Sequence, residues 1–145
     1  MLKTLSLIAE RLNNEKIVWG LGGSLLLNFY KITDNPNNID ILVDEANTIR
    51  ENELLSSIGN SKVAISYKPF CTTHFSKYSI NDIGLDVMAG FAIEHNRGVY
   101  KLSLHKESIV AHKKINGLDI PLSSLEDWYI LYWLNSKQTG KSYSN

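Results

Sequence analysis

Two stretches far apart in this chain share one phase, and that phase constrains the fold more than any other feature. Ile39, Ile41 and Val43 alternate with Asn38, Asp40, Leu42 and Asp44, and Ile83, Leu85 and Val87 alternate with Gly84, Asp86 and Met88. A period of two marks a β-strand with one face on a core, because successive side chains point to opposite faces. Each strand thus has an apolar face to bury and one acid in the middle of the other face. If the two are neighbours with Asp40 opposite Asp86, the Cβ atoms lie about 4.5–5.5 Å apart. Carboxylates that close repel unless a cation lies between them, and a divalent ion is the natural occupant. The bland alternative is that both acids mark the solvated face of an antiparallel sheet.

A glycine segment precedes the first of these strands. Ile17-Val18-Trp19 reads as a short buried strand, Gly20-Leu21-Gly22-Gly23-Ser24 as a glycine turn, and Leu25 to Tyr30 as a helix buried on most sides. Gly23 lets backbone approach a ligand closely, and Ser24 stands at a helix N-terminus, where free N–H groups and the dipole favour phosphate. The segment is not a Walker A loop, which needs GxxxxGK[ST], nor a Rossmann fingerprint, which needs glycine where Leu25 stands. Its bland reading is a strand-to-helix connection capped by serine.

The remaining chain reads as a mixture of helix and strand. Leu5, Ile8, Ala9 and Leu12 repeat at helical spacing behind Thr4 as N-cap, which predicts a helix over about 4–14. Residues 31–37 form a loop by their turn residues. Glu45 to about Ile58 suits a helix with Asp44 as N-cap and Gly59-Asn60 as its stop. Short β-like runs follow at Val63–Tyr67, Thr73–Ile80, Ile83–Met88, Phe91–Ile93 and Val99–Leu102, with Asn81-Asp82 as a turn. Asn116-Gly117, between Ile109–Ile115 and Leu118–Leu122, is a strong hairpin signal. Ser123-Ser124-Leu125-Glu126 has the form of a capping box, with Leu125, Trp128, Tyr129 and Tyr132 as the stripe of a last helix over about 124–136. The polar tail from Ser136 is expected to fray. The whole, residues 1–145, reads as a single mixed α/β domain.

Composition removes several function classes. Lys plus Arg and Asp plus Glu each total 15, giving a formal net charge of zero, without the footprint of a general nucleic-acid binder. No apolar run approaches the ~20 residues of a membrane span, and the start of the chain lacks the order of a signal peptide, so a cytoplasmic protein is expected. The lone Cys71 is a packing residue, and His74, His95, His105 and His112 lack metal-ligand spacing. Trp128, Tyr129, Tyr132 and Trp133 read as helix packing rather than a base-stacking platform. Lys68, Lys77 and Lys101 would touch phosphates only if they line the cleft.

Gly23-Ser24, thirteen further residues, then Asn38-Ile39-Asp40-Ile41 on a strand and Leu85-Asp86-Val87 on a later one resemble the nucleotidyltransferase superfamily related to DNA polymerase beta. The chain looks most similar to its small bacterial members: the minimal nucleotidyltransferases, the lincosamide-type antibiotic nucleotidyltransferases and the abortive-infection toxin group. The motifs span roughly residues 17–90, and the helix start at Pro121–Asp127 is also similar.

The resemblance implies a mixed sheet packed on helices, with Gly22, Gly23 and Ser24 binding the triphosphate of a nucleoside triphosphate. It implies that Asp40 ligates Mg²⁺ and that Asp86 ligates a second ion or acts as base toward an acceptor hydroxyl. Asn38 stands at the first carboxylate position. Its amide oxygen can coordinate Mg²⁺ without adding charge, and one charge at ~4 Å in an effective dielectric of ~20 is worth about 4 kcal/mol before desolvation. The expected activity is Mg²⁺-dependent transfer of a nucleoside monophosphate to a hydroxyl of an acceptor, small molecule or macromolecule. The rival expectation is a non-catalytic binding module or toxin–antitoxin component. Little chain follows Leu122, so either a partner subunit, as in a homodimer, completes the cleft or the acceptor site is open.

Overall fold

The structure, a computed structural model, describes residues 1–62, 64–65, 70–96 and 98–139. Helix α1 (Leu2–Asn14) leads into β1 (Trp19–Gly22), α2 (Gly23–Phe29) and β2 (Asn38–Val43). A 3₁₀ turn at Glu45–Asn47 precedes α3 (Thr48–Ser56), then β3 (Asn60–Lys62), β4 (His74–Ile80), β5 (Ile83–Ala89), β6 (Phe91–His95) and β7 (Gly98–Leu102). After a second 3₁₀ turn at Lys106–Ser108 come β8 (Ala111–Ile115), β9 (Leu118–Leu122) and α4 (Leu125–Thr139). Seven strands form one mixed sheet in the order β3-β4-β5-β2-β1-β9-β8, and β6 and β7 form a separate antiparallel ribbon. The mixed α/β expectation is met.

The alternating strands behave as their phase requires. Ile39, Ile41, Val43, Leu85 and Val87 are buried in one core cluster with Leu5, Ile8 and Leu12 of α1. Side-chain bonds tie both covering helices to this face: Trp19 Nε1 donates to Asn13 Oδ1 of α1 at 2.9 Å, and Tyr78 Oη donates to Glu51 Oε2 of α3 at 3.1 Å. Two tight turns hold the register of the flanking hairpins. Asn81 and Asp82 both have positive φ (51° and 63°), as do Asn116 and Gly117 (51° and 78°), the backbone that two-residue hairpins with right-handed twist select.

Several boundaries differ from expectation. Thr4 is a buried residue within α1, which starts two residues earlier behind Met1 and without a side-chain cap. The first strand is Trp19–Gly22 rather than 17–19, so Gly20 to Gly22 are extended and only Gly23-Ser24 turn into helix. The helix expected over 45–58 is split into a 3₁₀ turn and a shorter α3, and Asp44 accepts from the Asn47 side chain (2.9 and 2.8 Å) rather than capping backbone. The last helix is capped one residue later than expected: Asp127 N–H donates to Ser124 Oγ at 3.4 Å, while Ser123 Oγ donates to Leu21 O at 2.7 Å. The buried stripe of α4 runs through Trp128 and Leu131, and Tyr129 is 62% exposed. The β-like run at 63–67 falls largely outside the described residues, as do Lys68, the Tyr132 side chain and the end of the chain from residue 140. No helix among the described residues is long and apolar enough to cross a membrane.

Glu51 is the one fully buried acid among the described residues, in the core beneath this sheet. It is 2% exposed, and its Oε1 has no hydrogen-bond partner among the described residues. Burial pushes its carboxyl up from an ordinary 4.5 to about 7, against a smaller opposing effect of the Tyr78 hydroxyl. The folded state therefore favours the neutral acid: the stabilisation is complete below about pH 4.5 and is lost as pH rises to about 7. Denaturant melts should show this fall, with Glu51→Gln removing on the order of 2–3 kcal/mol of it.

Candidate functional site

β2 and β5 are adjacent and parallel, and their register sets Asp40 directly beside Asp86. The same row runs on across the sheet: Gly22 of β1 pairs with Asp40, Lys77 of β4 pairs with Asp86, and Lys62 of β3 pairs with Lys77. Residues opposite one another on paired strands share a face, so the row reads glycine, acid, acid, lysine, lysine. The next row inward is apolar, with Leu42 beside Met88, both buried. The row outward sets Asn38 beside Gly84. The acids therefore lie on the face away from α1 and α3, between an apolar floor and solvent.

α2 closes one side of this row. Gly23 has φ +62°, and a Cβ there would overlap the Asp40 carboxylate. The glycine thus has a reason inside the chain: it makes room for the acid as well as adopting a left-handed backbone. The Ser24 N–H favours the charged form of the Asp40 carboxylate, so the helix start is aimed at the acid itself. Ser24 Oγ, by contrast, is buried with no hydrogen-bond partner among the described residues. Gly22 is extended, and a Cβ on it would overlap the indole of Trp128, whose Nε1 donates to Ser123 Oγ at 2.8 Å. Gly22 therefore also has a packing reason to be glycine.

Electrostatics at the row are tense. Asp40 is pushed from an ordinary 3.8 up to about 7, first by burial and then by the charge of Asp86 alongside, with Lys77 and the Ser24 N–H pulling it back. Asp86 is bonded from both neighbouring strands. Lys77 Nζ lies 3.2 Å from Asp86 Oδ1, and Asn38 Nδ2 donates to Asp86 Oδ2 at 3.5 Å. Two facing carboxylates and an amide that can turn its oxygen inward make a hard-oxygen donor set that could hold a divalent cation. No third His, Cys, Asp or Glu joins them among the described residues.

The other candidates resolve separately. Lys77 lines the row, whereas Lys101 pairs with Glu45 at 3.2 Å. His112 pairs with Asp119 at 2.7 Å, and Cys71 is partly buried. Lys62 escapes a sequence reading because β3 has no apolar alternation, its three residues all being exposed.

No protein-family model matches the chain, and no curated protein sequence matches it. Solved structures do. A Thermotoga maritima protein assigned by inference as a nucleotidyltransferase superposes with a TM-score of 0.80 at 26% identity, over 96% of this chain and 86% of that one. ANT(2″)-Ia, solved with adenylyl-2″-tobramycin, superposes at 0.65 with 12% identity, over 95% and 77%. The lincosamide antibiotic adenylyltransferase LnuA, solved with lincomycin, gives 0.60 with 17% identity, over 90% and 84%. The chain has a nucleotidyltransferase-like fold.

Crowding at Asp40 has a measurable cost in the metal-free chain. Its neutral form is favoured in the fold, so this contribution is present below about pH 3.8 and lost as pH rises to about 7. Asp40→Asn should raise metal-free stability at pH 8 by about 2 kcal/mol, the full shift being discounted for solvent. Urea melts at pH 5 and pH 8 check it: the gain should be larger at pH 8.

Proposed function

We propose that this chain is a nucleotidyltransferase, transferring a nucleoside monophosphate from a nucleoside triphosphate to an acceptor hydroxyl with release of pyrophosphate. The observation that carries the reading is the register that sets Asp40 beside Asp86 with the start of α2 packed on Asp40. In this reading the triphosphate lies along Gly22, Gly23 and Ser24, where the orphaned Ser24 hydroxyl gains a partner. Asp40, Asp86 and the Asn38 amide oxygen would hold Mg²⁺, which supplies charge neutralisation to the phosphates when bound. Asp86, on the side of the pair away from α2, takes the proton from the acceptor hydroxyl. The acceptor oxygen bonds to the α-phosphorus while the bond from that phosphorus to the pyrophosphate oxygen breaks.

A second reading, a nucleotide-binding module without turnover, is favoured by one observation. Asn38 and Lys77 both donate to Asp86, so the site is partly neutralised from within the chain. One substitution separates the two. Calorimetry should find each nucleoside triphosphate binding more tightly with Mg²⁺ than without, and Asp40→Ala should abolish that difference. Asn38→Asp, nearly equal in volume, should tighten Mg²⁺ by about tenfold or more. It should also raise pyrophosphate release in an enzyme weakened by the missing charge, whereas a rate that stays at zero with metal bound supports the binding module. An Asn38→Asp variant with no gain in metal affinity places residue 38 outside the metal site.

A further inference from the structure

On the face of the sheet opposite the acid row, α3 leaves a cleft of about 680 Å³ against β4 and β5, within the size range of small-molecule sites. Register fixes which face this is. Ser76 pairs with Val87 and His74 with Ala89, and all four line the cleft, one residue out of phase with Lys77 and Asp86. The sheet therefore stands between the cleft and the Asp40–Asp86 row. Val43, Val87 and Ala89 give it apolar wall, and Ile49, which also lines it, is 78% exposed.

Glu51 lines this cleft, and its Oε1 is the buried carboxyl oxygen without a hydrogen-bond partner among the described residues. The neighbours fix which oxygen is free. Asn52 Nδ2 donates to Tyr78 Oη at 2.7 Å, and Tyr78 Oη donates its one proton to Glu51 Oε2 at 3.1 Å. Oε1 is left as an orphaned acceptor when the acid is charged and as an orphaned O–H when it is neutral. Charge around the cleft is one-sided. Glu53 of α3 is a second acid on the lining, β2 and β5 bring only Val43, Val87 and Ala89, and no Lys or Arg lines the cleft among the described residues. His74 of β4 is the single basic group there, and Arg50 of α3 is paired with Glu15.

We propose that this cleft binds a small organic ammonium ion with an apolar body, its N–H donating to Glu51 Oε1 and its hydrocarbon lying against Val43, Val87 and Ile49. An ammonium answers both features at once: it brings donors to an orphaned oxygen and positive charge to a lining with two acids. An anion or a purely apolar molecule answers neither. Burial holds the Glu51 carboxyl neutral up to about pH 7 in the empty cleft, so the ammonium displaces the carboxyl proton to solvent as it binds. Affinity for the cation therefore rises by about tenfold from pH 6 to pH 8 and levels off above. None of this depends on the nucleotide and metal chemistry of the opposite face.

The test uses the full chain without metal or nucleotide and 2-phenylethylammonium as probe, followed by backbone amide chemical shifts and by calorimetry. The expected result is a set of shifts along α3, β4 and β5, tighter binding at pH 8 than at pH 6, and proton release to the buffer near pH 7. Glu51→Gln keeps the volume and the bond from Tyr78 while removing the charge, so it should weaken binding about tenfold or more and flatten the pH dependence. His74→Gln should keep that dependence. The neutral analogue 2-phenylethanol should bind at least about tenfold more weakly than the ammonium. Should Glu51→Gln fail to fold, the pH dependence and the comparison with the alcohol decide on the wild-type chain alone. Absence of shifts along α3 and β4, equal binding of ammonium and alcohol, or wild-type affinity in folded Glu51→Gln overturns the inference, as does a response confined to Gly23, Ser24 and Asp86.

Discussion

The parallel pairing of β2 with β5 in the register Asp40 to Asp86 is the constraint on which the rest of the structure depends. A one-residue slip of either strand would send its acid into the core and bring its aliphatic residues, Ile39 and Ile41 or Leu85 and Val87, out to solvent, so the apolar face and the acid row are fixed together. The burial of four large aliphatic side chains on one face holds in place two like charges on the other. Parallel neighbours also need a long connection, and the chain from Asp44 to Asp82 uses it to build α3, β3 and β4, the last of which brings Lys77 against Asp86.

The acid row is expensive to fold around. Asp40 is buried against a second carboxylate, and Gly23 takes a left-handed backbone to leave it room. Protein chains violate local rules of stability mainly where a site demands it, and here the violations cluster within one row and the turn that abuts it. Glu51, beneath the opposite face, is a second such violation with a different remedy, since the Tyr78 hydroxyl satisfies one of its oxygens and a proton neutralises the carboxyl below about pH 7.

Much of this was legible in the sequence because it is written in period-two patterning. Ile39 to Val43 and Ile83 to Val87 announced both strands and both acids, Asn81-Asp82 and Asn116-Gly117 announced their turns, and Gly23-Ser24 announced a helix start. What escaped depends on partners distant in the chain. Thr4 could not be told from a cap without knowing that Leu2 and Lys3 continue the helix, and Tyr129 could not be told from a core residue without the contacts that select Trp128 and Leu131 instead. The glycines were read as places for a ligand to approach, whereas Asp40 and Trp128 take the space beside Gly23 and Gly22. Strand order decided the rest: nothing local to Lys77 says that it stands opposite Asp86, and Lys62 lies in a strand whose three residues carry no apolar signal.

The central claim is that the Asp40–Asp86 row is a cation site rather than a pair of acids on a solvated face. Crystals grown with Mn²⁺ and a non-hydrolysable nucleoside triphosphate, with data collected at the manganese absorption edge, test it most directly. The account predicts an anomalous peak touching carboxylate oxygens of both Asp40 and Asp86, with the triphosphate reaching toward Ser24. A structure with the nucleotide bound elsewhere, or with manganese absent from between the two acids while bound to the phosphates alone, would contradict it.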